Sequence, residues 1–328
     1  MFHNGYIFKK LFFGSQILFL MSLGFALKKT IYFYRLALAR NKKKTDLLRL
    51  FNFSYEKKLL NDITTQKKIS ANQTQQKKIN MTYQDIFISS FDKLKLHATL
   101  ITQKNNLYKN NWVIIIHGYN GFGLQMLHIA KEFYKLNFNT ILPDCRGHGK
   151  SDGNYIGMGW HDRLDILEWI KFIIKKNPQA KIILYGLSMG GAAVLMTSGE
   201  NLPANIKCII EDCAYTSVLD EFFYHYNKIF NLPKFLLNLT DIICQTKSGY
   251  KLSEASAINQ LKKCKTPVLF IHGAQDRFVP TKMVYKLYKS ATCPKDILII
   301  PKAGHGLSYQ INAKKYFQKI QSFIKKHF

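Results

Sequence analysis

After Met81 the chain repeats one pattern: a short apolar run of strand length, a longer amphipathic stretch, and then another run. The runs are DIFIS, LKLHATLI, WVIII (112–116), TILPD (140–144), KIILYG (181–186), IKCIIED (206–212), TPVLFIHG (266–273) and DILIIP (296–301). Helical spacing covers 122–136, 160–176, 189–199, 281–290 and 313–327. Strands that are apolar almost throughout are buried on both faces, and strands separated by helices run parallel. The expected fold is therefore α/β: a mostly parallel central sheet with helices on both faces. A sheet of this kind carries its reactive loops at the carboxyl ends of its strands. Between about 214 and 262 the rhythm fails. SVLDEFFYHYNKIF and PKFLLNLTDIICQT are helix-like and no strand intervenes, which predicts a small helical cap over that edge.

Gly186-Leu187-Ser188-Met189-Gly190 stands directly after a strand-like run and directly before a helical one. A serine held in so tight a strand-to-helix turn needs neighbours without a Cβ on both sides, and Gly186 and Gly190 supply them. A neutral serine is a weak nucleophile at pH 7, so the arrangement demands a histidine base and a carboxylate to orient it, in the chain order serine, acid, histidine. His272-Gly273-Ala274-Gln275-Asp276 puts Asp276 in the loop after one late strand, and Ala303-Gly304-His305-Gly306 puts His305 in the loop after the next. The expected catalytic set is Ser188, Asp276 and His305. Acyl transfer also needs donors aimed at the oxygen that becomes negative. The backbone N–H of Met189, at a helix amino terminus, is one candidate. The N–H of Tyr119, in the loop His117-Gly118-Tyr119-Asn120-Gly121-Phe122-Gly123, is the other. His117 itself is expected to brace that loop.

Asp144-Cys145-Arg146-Gly147-His148-Gly149-Lys150-Ser151 is similar to the D-x-R-G-x-G-x-S loop common among α/β-hydrolases. With the serine elbow and the late acid and histidine loops, residues from about 82 to 328 resemble a serine hydrolase of the α/β-hydrolase superfamily. Glu211-Asp212-Cys213-Ala214-Tyr215-Thr216-Ser217 is similar to a segment of membrane-anchored bacterial members described as serine aminopeptidase-like or prolyl-oligopeptidase-like. The resemblance implies that Arg146 and His148 are loop scaffolding and that Asp212 is a second candidate acid. It implies no metal and no organic cofactor.

Three functions are weighed. The first is an esterase, thioesterase or lipase working through an acyl-serine intermediate on a small-molecule ester or acyl substrate. Phe222, Phe223, Tyr224, Tyr226, Phe230 and Phe235 give the cap an apolar, aromatic character suited to an acyl group or simply to packing. The second is a peptidase or amidase, which needs an anionic pocket for a substrate amino terminus; Asp220-Glu221 is the candidate. The third is a non-catalytic membrane adaptor, against which three intact dispersed triad residues argue.

Of 328 residues, 48 are Lys or Arg and 20 are Asp or Glu, for a net charge of +28. Residues 1–80 alone carry 16 basic and 3 acidic side chains. The later excess is scattered lysine, and nucleic-acid binding is not inferred from it. Leu11 to Leu27 is a run of 17 residues without a charge, flanked by Lys9-Lys10 and Lys28-Lys29. That length is short for a spanning helix and slightly long for a signal peptide, so an uncleaved anchor is expected, with cleavage near Gly24-Phe25-Ala26 as the alternative. The following IYFYRLALAR continues as an aromatic, basic, amphipathic stretch suited to a membrane interface, where anionic lipids would be its partners. The basic flank on the carboxyl side favours a cytoplasmic face for the catalytic portion. The expected organisation is an anchor and basic stem over 1–45, a linker over 46–81, and a catalytic domain over 82–328 with its cap insert at 214–262. The six cysteines show no metal-ligand spacing and are expected to be buried thiols.

Overall fold

The computed structural model of the protein describes residues 81–105, 107, 109–230 and 235–328, together with 24, 27, 28, 30–32, 34, 35 and 37–40; of 226–230 and 235–238 it describes the backbone alone. Eight described strands form one sheet: β1 (Thr82–Ser89), β2 (Lys95–Thr102), β3 (Asn111–Ile116), β4 (Asn139–Pro143), β5 (Lys181–Leu187), β6 (Ile206–Asp212), β7 (Val268–Gly273) and β8 (Lys295–Ile300). Their order is β1-β2-β4-β3-β5-β6-β7-β8. β2 pairs antiparallel with both β1 and β4, and every pairing from β4 to β8 is parallel.

Alternation along each strand divides the apolar residues between two layers. Ile114, Ile116, Ile182, Leu184, Ile209 and Phe270 face α2 (Asp162–Lys176), α3 (Met189–Thr197) and α7 (Lys282–Ser290) through residues such as Trp169, Ile170, Val194 and Leu287. Val113, Ile115, Ile183, Tyr185, Ile210 and Leu269 face the opposite way, onto α1 (Leu127–Lys135) and α9 (Ala313–His327) through Phe133, Tyr316, Phe317 and Ile320. Two buried faces explain why the central strands read as continuous apolar runs, since neither alternate set of side chains meets water.

The interval that lacks a strand is helical, as its sequence predicts. α4 (Val218–Phe230), α5 (Phe235–Ser248) and α6 (Ala257–Leu261) lie between β6 and β7, and the short α8 (Ser308–Ile311) precedes α9. The six cysteines are all buried and none is in a disulfide.

Most of the apolar segment 11–27 and all of 46–80 lie outside the described residues, and among the described residues no helix is long and apolar enough to cross a membrane. Described residues between 30 and 40, expected to belong to a stem apart from the catalytic portion, are packed into it. Tyr34, Ala37 and Leu38 are buried in the same core layer as α2 and α3. Ala39 forms an antiparallel bridge with Tyr155, and the Ile156 N–H donates to the Leu38 carbonyl at 2.7 Å. The physical reason is in the spacing. Residues 34, 37 and 38 make one apolar helical face, and that face meets protein.

Candidate active site

Ser188 follows β5 and immediately precedes α3, with φ 56° and ψ −116°. This left-handed conformation is strained for a residue with a side chain and persists only where the surroundings enforce it. The two flanking glycines are the means. A Cβ on Gly186 would lie 2.1 Å from the Gly190 carbonyl oxygen, and one on Gly190 would lie 2.3 Å from the Ile116 carbonyl oxygen. Strand, turn and helix can close on each other only because both positions lack a side chain.

The three side chains expected to converge do so. Ser188 Oγ lies 2.8 Å from His305 Nε2, and His305 Nδ1 lies 2.7 Å from Asp276 Oδ2. Ser188 and Asp276 are buried, and the His305 side chain is 17% exposed. Asp276 is held from behind as well: its Oδ1 accepts the N–H groups of Phe278 and Val279, each at 2.9 Å. Burial alone would raise the Asp276 carboxyl, but His305 and His272 beside it hold it well below the usual carboxylate range. Burial, the largest single influence, would lower the His305 imidazole; the Asp276 charge and its hydrogen bond, with the Glu221 and Asp212 carboxyls, together raise it above its ordinary value.

Asp212, the second candidate acid, is committed elsewhere. Its carboxylate accepts from Ser308 Oγ at 3.2 Å and Tyr316 Oη at 2.9 Å, and burial pushes its carboxyl up to about 6. It contributes to the site through its backbone, because the Ser188 N–H donates to the Asp212 carbonyl at 2.7 Å. Cys213 Sγ lies with Asp276 and His305 in a cluster of ligand-type atoms within 4.8 Å of one another. Burial pushes that thiol well up, so it stays protonated, and the carboxylate and imidazole are already hydrogen-bonded to each other; this donor set does not fit a cation.

The two expected donor loops flank the serine. Met189 is the first residue of α3, where an N–H has no acceptor within the helix. Gly118 is in contact with the serine, its Cβ position lying 3.4 Å from Ser188 Cβ, and this brings Tyr119 to the same cavity. His117 braces that loop as expected. Its Nδ1 is 2.7 Å from the Gly118 carbonyl, so it must carry the proton, while its Nε2 accepts the Cys145 N–H at 3.0 Å. Burial lowers its imidazole, in keeping with a neutral ring.

The D-x-R-G-x-G-x-S loop is scaffolding. Asp144 accepts from Gly123 N–H (2.7 Å) and Lys150 N–H (2.8 Å), and its Oδ2 is 2.8 Å from His97 Nδ1. Arg146, fully buried, forks onto Asp165 with two bonds of 2.7 Å and reaches Asp92 at 3.0 and 3.2 Å. His148 Nδ1 meets the Arg146 carbonyl at 3.0 Å.

An apolar pocket opens at Ser188, lined by Ala37, Tyr119, Met158, Met189, Tyr215, Glu221, Phe222, His225 and Phe278 as well as the serine itself. Of the cap aromatics, Phe222 lines the pocket, Phe223 packs on the core and Tyr224 Oη donates to the Arg277 carbonyl at 2.9 Å. The side chains of Tyr226, Phe230 and Phe235 lie outside the described residues. Asp220 is tied to Thr216 Oγ1 at 2.6 Å, whereas Glu221 faces the pocket. Three contributors escape local sequence reasoning. Ala37 comes from a distant stretch, His272 stands behind the acid with Nε2 3.2 Å from Asp276 Oδ2, and His225 pairs with Glu221 at 2.8 Å. Only the last left a trace in the sequence, as an i,i+4 pair on a predicted helix.

The chain shares features with known proteins. A family model described as serine aminopeptidase, S33, matches residues 109–236. YqkD of Bacillus subtilis is 28% identical over 216 residues, which covers 65% of this chain and 71% of YqkD. The α/β-hydrolase domain-containing protein WAV2 of Arabidopsis thaliana is 26% identical over 263 residues, 76% of this chain and 81% of WAV2. The structure of the Pyrococcus furiosus esterase Pf2001 is similar with a TM-score of 0.61 at 22% identity, covering 75% of this chain and 93% of Pf2001. With the strand order and the serine turn, these likenesses show that the chain has the α/β-hydrolase fold.

Proposed function

We propose that the protein is a serine hydrolase that cleaves a carboxylic ester or thioester through an acyl-serine intermediate. The observation that carries this is the unbroken hydrogen-bonded line from Ser188 Oγ through His305 to Asp276 at the mouth of an apolar pocket. His305 Nε2 takes the hydroxyl proton as Ser188 Oγ adds to the carbonyl carbon, and Asp276 stabilises the imidazolium that forms. The carbonyl oxygen, now negative, accepts from the N–H groups of Met189 and Tyr119. Collapse expels the alcohol or thiol, which receives its proton from His305. Water, deprotonated by the same nitrogen, then adds to the acyl-serine, and the second collapse releases the acid. The likeness to Pf2001, an esterase, supports the same class. The apolar lining suits an acyl group, whose burial contributes about 0.8 kcal/mol per methylene.

The test is pre-steady-state hydrolysis of nitrophenyl esters. A burst of nitrophenol equal to the enzyme, followed by slower turnover, is expected; linear release from the first turnover, insensitive to Ser188→Ala, contradicts an acyl-serine.

One observation favours a second activity, hydrolysis of an amide whose substrate carries an ammonium. Glu221 is 4% exposed and lines the pocket, its Oε1 is 2.8 Å from His225 Nε2, and its Oε2 has no hydrogen-bond partner among the described residues. A buried carboxylate oxygen in that position accepts a bond from an N–H or O–H on the substrate. Higher kcat/KM for aminoacyl amides than for acyl esters, lost in Glu221→Gln, decides for this second activity.

We propose further that the basic, apolar sequence before residue 30 holds the enzyme at an anionic membrane. Flotation of the full chain with phosphatidylserine vesicles but not with phosphatidylcholine vesicles is the expected outcome.

A further inference from the structure

Tyr34, Ala37 and Arg40 touch three separate parts of the hydrolase body. Tyr34 Oη is 2.8 Å from Ser248 Oγ at the end of the cap helix α5. The Arg40 guanidinium donates to the carbonyls of Ser151 (2.9 Å), Gly153 (3.2 Å) and Gly149 (3.3 Å), and its backbone N–H donates to the Asn154 carbonyl at 2.8 Å. Between these two anchors, Tyr119 Oη donates to the Ala37 carbonyl at 2.7 Å, and Ala37 itself lines the pocket that opens at Ser188. Cap, scaffold loop and donor loop are thus bound to one strap whose middle residue faces the space where substrate would lie.

We infer that this strap belongs to the active site: Ala37 sets how far an acyl group can enter, and through its carbonyl it positions the Gly118-Tyr119 loop that supplies a donor to the oxyanion. The inference rests on the serine-hydrolase function proposed above and extends it to a part of the chain that the catalytic motifs do not include. Two features make position 37 the decisive one. Its side chain is a single methyl group and is 3% exposed, so a larger residue has nowhere to go except into the pocket or against the core. Its carbonyl is the acceptor for a tyrosine side chain, and that tyrosine's own backbone N–H is the donor the chemistry calls for. Tyr119 is a positioning residue through its hydroxyl, because the hydroxyl meets the strap and not the reacting atoms.

The experiment uses the full chain and nitrophenyl esters of increasing acyl length with one leaving group. Ala37→Phe, with Ala37→Val as the milder change should the larger one impair folding, lowers kcat/KM for a decanoyl ester relative to an acetyl ester by about tenfold or more. Tyr119→Phe, which removes only the hydroxyl, lowers kcat by about tenfold and changes KM by less than about twofold, as expected for an interaction that matters in the transition state. An unchanged chain-length profile in both position-37 variants, with Tyr119→Phe indistinguishable from the unaltered protein, overturns the inference. Covalent labelling of Ser188 by a fluorophosphonate separates the two levels of the proposal. A labelled serine with unchanged profiles sinks the strap's role alone, and an unaltered protein that never labels sinks the hydrolase function and the strap's role together.

Discussion

His272 Nε2 lies 3.2 Å from Asp276 Oδ2, on the same carboxylate oxygen that meets His305 Nδ1 at 2.7 Å. The same nitrogen is 2.9 Å from the Val279 carbonyl, which can only accept, so Nε2 carries a proton and shares it between the carbonyl and the carboxylate. His272 therefore holds the acid in place without touching any reacting atom. Its imidazole is fully buried at the end of β7, and removing it leaves Asp276 free to rotate away from His305. His272→Ala is expected to lower kcat by about tenfold to a hundredfold while KM changes little, since small misplacement of catalytic groups has costs of this size. A rate loss confined to KM would assign His272 to packing of the pocket.

The acid limb of the pH profile follows from His305. Nε2 must be unprotonated to take the serine proton, so kcat/KM for an ester falls as pH drops through the His305 pKa. Burial pulls that pKa down, and the Asp276 charge and hydrogen bond together with Glu221 and Asp212 raise it by more, so the limb stands above about 6.5, the ordinary imidazole value. Asp276→Asn removes the negative charge. The limb then moves to lower pH, and kcat falls by roughly 10³- to 10⁴-fold. A limb that does not move in this variant identifies another group as the base.

Arg146 is expected to act on stability. It is fully buried between Asp165, itself 7% exposed at the side chain, and the half-exposed Asp92. Arg146→Ala leaves Asp165 buried without its cation and is expected to lower the free energy of unfolding by about 3–5 kcal/mol. Arg146→Lys recovers only part of this, since an ammonium cannot reproduce the two-pronged contact. Urea denaturation measures both. A midpoint unaltered in Arg146→Ala would show that the loop is held by its backbone bonds alone.

The serine turn is a steric device, and its tolerance is measurable. Gly190→Ala puts a methyl group against the backbone oxygens of Ile116 and His117, at 2.3 and 2.6 Å, where no side chain can yield. The expected result is a loss of about 2–4 kcal/mol of stability and of serine reactivity together. Gly24→Ala, where a Cβ meets nothing within 4 Å, is the control and should change neither.

Much of this fold is legible in the amino-acid sequence alone, and for definable reasons. The parallel strands are buried on both sides, so their apolar runs stand out, and β6 spans Ile206–Asp212 as its run predicts. Ser188, Asp276 and His305 each follow a strand, which makes their convergence a consequence of topology. What stayed hidden depends on contacts between distant stretches. Tyr34, Ala37 and Leu38 form an apolar face that reads equally well as a membrane-surface helix, and nothing local to residue 37 reveals that it meets Tyr119. His272 is similar: its place in a buried strand is evident, while its hold on Asp276 exists only once the loop folds back and brings Val279 over the ring. The hydrogen bonds that occupy the Asp212 carboxylate likewise come from side chains far along the chain, Ser308 and Tyr316.

Mass spectrometry of the intact protein after treatment with a fluorophosphonate tests the central claim most directly. A single adduct on Ser188 is predicted, absent in Ser188→Ala and formed at least about a thousandfold more slowly in His305→Ala, because the hydroxyl then has no base. A protein that forms no adduct, or forms one at the same rate without His305, would contradict it.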